Sequence, residues 1–357
     1  MSGAGTDALR IHGDRYARHG MLDFAVNIWR APRAPALNAA LIAALRDPRY
    51  PEEHRAREAI ARRHRRPAAE VLALNGACEA FWLLAHAFPV RHAVCVHPSF
   101  TEAEAALRAA GARVTRVARP PRDWALQPQQ VPEDADLVVL TNPNNPTGNL
   151  DPPAALAELA REGRTLLVDE SFIDFVSDQR GSVAAARDLP GLVVLRSLTK
   201  TWGLAGVRAG YMLAPAQLIA RLAAHRQPWA VNAPALAAIE LCVADRATPG
   251  RIAAEVAAAR RDLQERLGRI PAVELWPSEA NFQLVEVPDG RALVARLAAK
   301  RIAVRPCESF PGLTPNHIRL AVRTPAEHAR LADAIAGALH APRAGSPPTD
   351  RQAAANT

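Results

Sequence analysis

Between residues 70 and 215 the chain alternates short apolar runs with helix-like stretches, and that rhythm restricts its fold more than any other feature. The runs occupy residues 71–74, 93–96, 114–117, 137–140, 165–168, 192–195 and 209–213. Helical patterns over 77–87, 102–110 and 153–161 separate several of them. A strand buried on both faces shows a continuous apolar run, and a helix joining two such strands brings the second back parallel to the first. The pattern therefore predicts an α/β fold around a mostly parallel sheet with helices on both faces.

After Pro249 the rhythm changes. A long helical pattern over 251–267 leads to strand patterns at 273–275, 281–287, 302–305 and 318–322, with a helix over 290–300. The last helix opens at Thr324-Pro-Ala-Glu327, a capping box with proline at the first helical position. We expect a large domain over 46–250 and a smaller α+β domain over 251–341. Residues 1–45 are expected to pack with the small domain. The stretch 342–357, rich in Ala, Pro, Ser and Gly, is expected to be a disordered tail.

Composition narrows the function classes. No run of 18 uncharged apolar residues occurs, so no transmembrane helix and no membrane partner are expected. The first residues lack the apolar core of a secretory signal. Cys78, Cys95, Cys242 and Cys307 form no CxxC pair, which points to reduced thiols, a cytoplasmic protein and no metal site. The net charge of +8 suggests nucleic acid, yet the basic residues are spread along the chain. Their densest cluster, Arg62 to Arg66, closes a helical stretch and reads as a solvated face, so no nucleic-acid partner is expected. Of the 44 basic residues only Lys200 and Lys300 are lysines, and Lys300 sits in an amphipathic helix. Chemistry that needs a lysine amine therefore points to Lys200.

Ligands of open α/β sheets bind beyond the carboxyl ends of the strands. Asn75-Gly76-Ala77 follows the first run and opens a helix, whose free N–H groups and positive dipole end suit an anion. Phe100 follows the second run, and Asn142-Pro-Asn-Asn-Pro-Thr-Gly148 follows the run at 137–140. Asp169 ends the next, Ser197-Leu-Thr-Lys200 follows the run at 192–195, and Arg208 lies eight residues past the lysine. Singly, each has an ordinary explanation: a turn, a helix cap, a core aromatic, one arginine of 42 among the 44 basic residues. Their joint placement at strand ends, around a scarce lysine, points to one site.

These motifs resemble fold-type I pyridoxal-phosphate enzymes of the aspartate aminotransferase superfamily, in particular the histidinol-phosphate aminotransferase branch. The resemblance runs from about His12 to Val322. It implies that fold, with seven strands in the large sheet, and pyridoxal 5'-phosphate as cofactor. It further implies that Lys200 binds the cofactor covalently as a Schiff base and shuttles protons, while Asp169 pairs with the pyridinium nitrogen. Asn145 would bond the ring 3-oxygen and Phe100 would stack on the ring. Gly76, Ala77, Cys78, Ser197 and Arg208 would surround the phosphate, with Cys78 where the family carries threonine. Tyr50 resembles the tyrosine that reaches the neighbouring subunit's cofactor, which implies a homodimer.

Within the superfamily several segments resemble the threonine-phosphate decarboxylases of cobalamin biosynthesis: His12-Gly13, Leu22 to Asn27, Gln227 to Asn232, Arg305 to Leu313 and Ile318 to Arg323. Phe172 stands where the aminotransferases usually carry a tyrosine, a change the decarboxylases share. On this resemblance the substrate is L-threonine O-3-phosphate, and His12, Gly13, Asn27, Asn145, Arg305 and Arg319 would bind its phosphate and carboxylate. Which arginine meets which anion stays open. So does the alternative reaction, transamination of histidinol phosphate or an aromatic amino acid at the same site.

Overall fold

The computed structural model of the chain describes residues 8–340. The expected tail at 342–357 lies outside the described residues, as do residues 1–7 and 341. The strands are β1 (Leu22–Asp23), β2 (Val71–Leu74), β3 (His92–His97), β4 (Arg113–Ala118), β5 (Leu137–Thr141), β6 (Thr165–Asp169), β7 (Leu192–Ser197), β8 (Gly210–Leu213), β9 (Glu274–Leu275), β10 (Phe282–Glu286), β11 (Ile302–Ala303), β12 (Arg305–Pro306) and β13 (His317–Ala321).

Seven strands form the large sheet in the order β2-β8-β7-β6-β5-β3-β4. The β4-β3-β5-β6-β7 portion is parallel, whereas β8 runs antiparallel to both β7 and β2. Strands β2, β3, β5, β7 and β8 are buried at every position, as the continuous apolar runs predict. Side chains alternate faces, so Val138, Leu140, Leu166 and Val168 enter one core while Leu137, Val139, Leu167 and Leu195 enter the other. After β4 the chain returns to place β5 on the opposite side of β3. That reversal opens a crevice beyond the ends of β3 and β5.

The second sheet is four-stranded, in the order β12-β13-β10-β9, with antiparallel pairing throughout. Helices Ala247–Gly268, Gly290–Ala299 and Pro325–His340 cover it, and Leu263, Leu267, Leu293, Leu331 and Ile335 form its core. Thr324 and Glu327 close the expected capping box: Thr324 N–H donates to Glu327 Oε2 (3.0 Å), and Glu327 N–H donates to Thr324 Oγ1 (3.3 Å).

The N-terminal segment reaches both the large and the four-stranded sheet, and its β1 forms a separate two-stranded sheet with β11. Strand β1 pairs in parallel with β11, and Phe24 O accepts from Ala321 N–H (2.8 Å). Arg323 grips the same stretch through the carbonyls of Asp23 (2.8 Å), Val26 (2.5 Å) and Ile28 (3.2 Å). The helix Pro35–Arg46 instead places Leu37 and Leu41 in the large sheet's core, beside the helix Ala233–Ala244. The apolar positions 37 and 41 are one helical turn apart, so they share the face that this core covers.

Candidate active site

A cleft of about 620 Å³ opens at the carboxyl ends of the parallel strands, between the two sheets. Lys200, Asp169, Asn145, Ser197 and Arg208 line it from the large sheet. Phe100, Phe172, Ala77 and Cys78 complete that side. Arg305 and Arg319 enter from the small sheet, and His12, Gly13 and Asn27 from the N-terminal segment. Two expected residues are not on the cleft wall. Gly76 lies just behind Arg208, and Tyr50 is on the surface, 71% exposed and stacked on Trp229 with centroids 4.3 Å apart.

Local sequence explains the placement. The Asn142–Gly148 loop closes on itself: Asn144 Oδ1 accepts from Thr147 Oγ1 (3.1 Å), Asn144 N–H donates to Asn149 O (2.7 Å), and Asn145 N–H donates to Thr141 Oγ1 (3.1 Å). The Asn145 amide is thereby held over the cleft beside Arg319, whose guanidinium donates to its Oδ1. At the end of β2, Ala77 and Cys78 turn into the helix Glu79–Ala87, and neither N–H donates within the described residues. Gly76, at φ +87°, leaves room for Arg208, because a Cβ there would lie 2.4 Å from the guanidinium. These free donors, Ser197 and the Arg208 guanidinium make a cradle that fits a phosphate group.

The charges across the floor are tuned by burial. Asp169 Oδ1 accepts from Ser171 N–H (2.9 Å) and Ser171 Oγ (2.5 Å), while no described residue donates to Oδ2. Burial pushes the Asp169 carboxyl up to about 6, against the pull of the two Ser171 hydrogen bonds. Burial pushes the Lys200 amine down to about 8, and the charges of Arg319 and Arg208 act the same way. A buried carboxylate with a free oxygen, an amine that gives up its proton more readily than a free lysine and a phosphate cradle together fit pyridoxal phosphate: one group for each end of the ring and one for its aldehyde. Burial also pushes the Cys78 thiol up to about 12, so it sits in the cradle as a neutral group.

The far end of the cleft is cationic. Arg319 donates to Ala25 O (3.1 Å), and burial, then the charge of Arg305, pushes its guanidinium down to about 9. With its amide turned over, Asn27 accepts from all three nitrogens of Arg319 at 3.1–3.2 Å. Arg305, 2% exposed, donates to Ile11 O (2.6 Å) and Ser309 Oγ (2.7 Å), with its guanidinium 5.0 Å from the Phe310 ring. Gly13 is packed so closely that a Cβ would meet Ala25 O at 2.5 Å. Phe172 stands edge-on to Phe282 at 5.1 Å, and its own ring carries no hydroxyl.

Sequence reading missed several cleft residues. Ser171, two positions after Asp169, and Glu102, two after Phe100, sit at strand ends already singled out and were findable there. Arg10 and Trp82 carried no signal, since their approach depends on the N-terminal segment crossing the cleft: the guanidinium lies 5.5 Å from the indole. Trp29 N–H also donates to Lys200 O (2.9 Å), which anchors the lysine loop to that segment. Among the described residues no His/Cys/Asp/Glu group suits a metal ion, and no helix is long and apolar enough to cross a membrane.

Known proteins resemble this chain over most of their length. Residues 37–335 match the family model described as aminotransferase class I and II. The chain is 43% identical over 324 residues to a histidinol-phosphate aminotransferase of Mycobacterium tuberculosis, covering 88% of this chain and 87% of that one. It is 32% identical over 332 residues to the threonine-phosphate decarboxylase of Salmonella typhimurium, covering 89% and 91%. A crystal structure of histidinol-phosphate aminotransferase from Sinorhizobium meliloti in complex with pyridoxal-5'-phosphate superposes with a TM-score of 0.82 at 22% identity, covering 95% of each chain. The fold is fold-type I, and the chain belongs to the aminotransferase class I and II family.

Proposed function

We propose that this protein is a pyridoxal-phosphate carboxy-lyase that converts L-threonine O-3-phosphate into (R)-1-amino-2-propanol O-phosphate and carbon dioxide, a step of cobalamin biosynthesis. The observation that carries the reading is the far end of the cleft. Arg305 and Arg319 lie there under an N-terminal segment that folds down over them and brings His12, which suits a small amino acid bearing two anionic groups.

The cofactor is pyridoxal 5'-phosphate, which supplies a sink for the electron pair left at the substrate's Cα. Asp169 Oδ2 keeps a proton on the ring nitrogen. Asn145 bonds the ring oxygen, and Phe100 packs on the ring face. Ala77 N–H, Cys78 N–H, Ser197 and Arg208 hold the cofactor phosphate. Arg319, braced by Asn27 and Asn145, and Arg305 would hold the substrate's anions and so fix its orientation in the cleft. Lys200 then returns a proton to Cα where the carboxylate left. Phe172 offers no hydroxyl to the ring oxygen. A second copy of the chain, bringing Tyr50 to the neighbouring cofactor phosphate, accounts for that tyrosine's exposed stack on Trp229.

The 43% identity to the mycobacterial relative favours a second reading, amino transfer from histidinol phosphate. One assay separates the two. The protein loaded with cofactor is given L-threonine O-3-phosphate without any keto acid, and carbon dioxide and phosphorylated aminopropanol are measured over many turnovers. Sustained release is expected. No release, together with loss of the visible absorbance when histidinol phosphate is added, would establish the aminotransferase.

A further inference from the structure

At the far end of the cleft lies a carboxylate, which is unexpected in a pocket built for anions. Glu102 opens the helix Glu102–Ala109 directly after the Pro98–Thr101 turn, and its side chain is 9% exposed. Both of its oxygens are engaged. Oε1 accepts from His12 Nε2, and Oε2 accepts from Trp82 Nε1 at 3.3 Å. The hydrogen bond from His12 is the main influence holding the Glu102 carboxyl below the usual carboxylate range, and the charge of Arg10 adds to it. Glu102 is therefore an anion and can only accept, which makes His12 the donor through Nε2.

Three contacts then fix the imidazole. Its Nε2 is tied to Glu102, its ring lies beside Phe100 with centroids 5.3 Å apart, and the backbone just before it is tied down at Leu9 and Ile11. Thr101 Oγ1 donates to Leu9 O, and Arg305 donates to Ile11 O (2.6 Å). Only Nδ1 remains for a ligand in the cleft, where it can donate to a phosphate oxygen when the ring carries both protons, and no described residue bonds it. Arg10 is drawn to the same end by the Glu102 charge and the Trp82 ring. The carboxylate thus holds His12 and draws Arg10 to one end of the cleft, both from a segment with little structure of its own.

We propose that Glu102 is a positioning residue for the substrate's phosphate, acting through His12. The inference rests on the reading that the substrate is a phosphorylated amine, a feature common to the lyase and the aminotransferase. Its physical basis is pre-organisation: an imidazole already aimed at the phosphate loses less freedom on binding than one that must be ordered then. A carboxylate that merely filled space would affect phosphorylated and unphosphorylated substrates alike.

The test compares wild type, Glu102→Gln, His12→Ala and the double variant, each fully loaded with cofactor. Steady-state parameters are measured with L-threonine O-3-phosphate and with L-threonine. Should the enzyme be an aminotransferase, histidinol phosphate and histidinol take their place, so failure of the lyase reading leaves this inference testable. Glu102→Gln is expected to raise KM for the phosphorylated substrate about tenfold, with the loss falling on KM more than on kcat. The preference for the phosphorylated over the unphosphorylated substrate should fall by the same factor. The double variant should be only slightly worse than His12→Ala, because Glu102 acts on the phosphate chiefly through that ring and otherwise only by its charge on Arg10. Equal losses for both substrates, or losses that multiply in the double variant, would overturn the proposal.

Discussion

Replacing Asp169 by asparagine should make the cofactor-stripped protein more stable while ending its function. The carboxylate lies at the end of β6, 5% exposed, and its pKa rises from 3.8 to about 6 because burial penalises the charged form. A rise of about two units corresponds to about 3 kcal/mol, at 1.36 kcal/mol per unit. The sign follows from proton counts. Between pH 3.8 and about 6 the folded protein holds this proton and the unfolded chain has lost it, so stability falls as pH rises through that window. The loss is complete above the folded value. Asparagine removes the charge and keeps an Oδ1 that can still accept from Ser171 N–H and Oγ. Urea unfolding of both stripped proteins, from about pH 4 to about pH 8, gives the comparison. The two should be nearly equal at the acid end, and the asparagine variant ahead by up to about 3 kcal/mol at the alkaline end. Added cofactor should narrow or reverse the gap, because on the proposed reading the carboxylate, unlike the amide, would hold a proton on the ring nitrogen. A difference that does not change with pH, or wild type leading throughout without cofactor, would refute this account of Asp169.

Three other perturbations probe separate parts of the cleft. Uptake of added pyridoxal phosphate by the stripped protein should quicken as pH passes through about 8, where Lys200 becomes neutral, and stopped-flow absorbance would show it; quickening only above about 10 would mean that burial does not lower the amine. Lys200→Ala should remove both the visible absorbance of the bound cofactor and all turnover, and wild-type turnover in that variant would end the assignment. Gly76→Ala must adopt φ +87° and displace the Arg208 guanidinium, so cofactor affinity in a spectral titration should drop about tenfold or more; unchanged affinity would remove Arg208 from the cradle.

What the sequence discloses here, and what it withholds, follows from how far apart the interacting residues lie along the chain. Strands β2, β3, β5, β6 and β7 were legible because both faces are buried, which forces unbroken apolar runs, and the residues after them inherit a place at the cleft from topology alone. The direction of β8 was not legible: an apolar run of four residues reads the same whichever way it crosses the sheet. The helical pattern at 153–161 yields only Pro153–Ala157, since the chain must turn back at once to enter β6. The stretch 302–305 divides into β11 and β12, which join different sheets, and no local signal marks the break at Val304. The least legible part is the roof of the cleft. Glu102 meets His12 across 90 positions and Arg305 meets Ile11 across 294, so each contact exists only once both sheets and the N-terminal segment are in place. The chemistry common to the family sits on rigid strand ends, where sequence shows it. On the proposed reading, recognition of the substrate's phosphate rests on a segment that reaches across from elsewhere, and it therefore has to be tested on His12, Glu102 and Arg305 more than on Lys200 or Asp169.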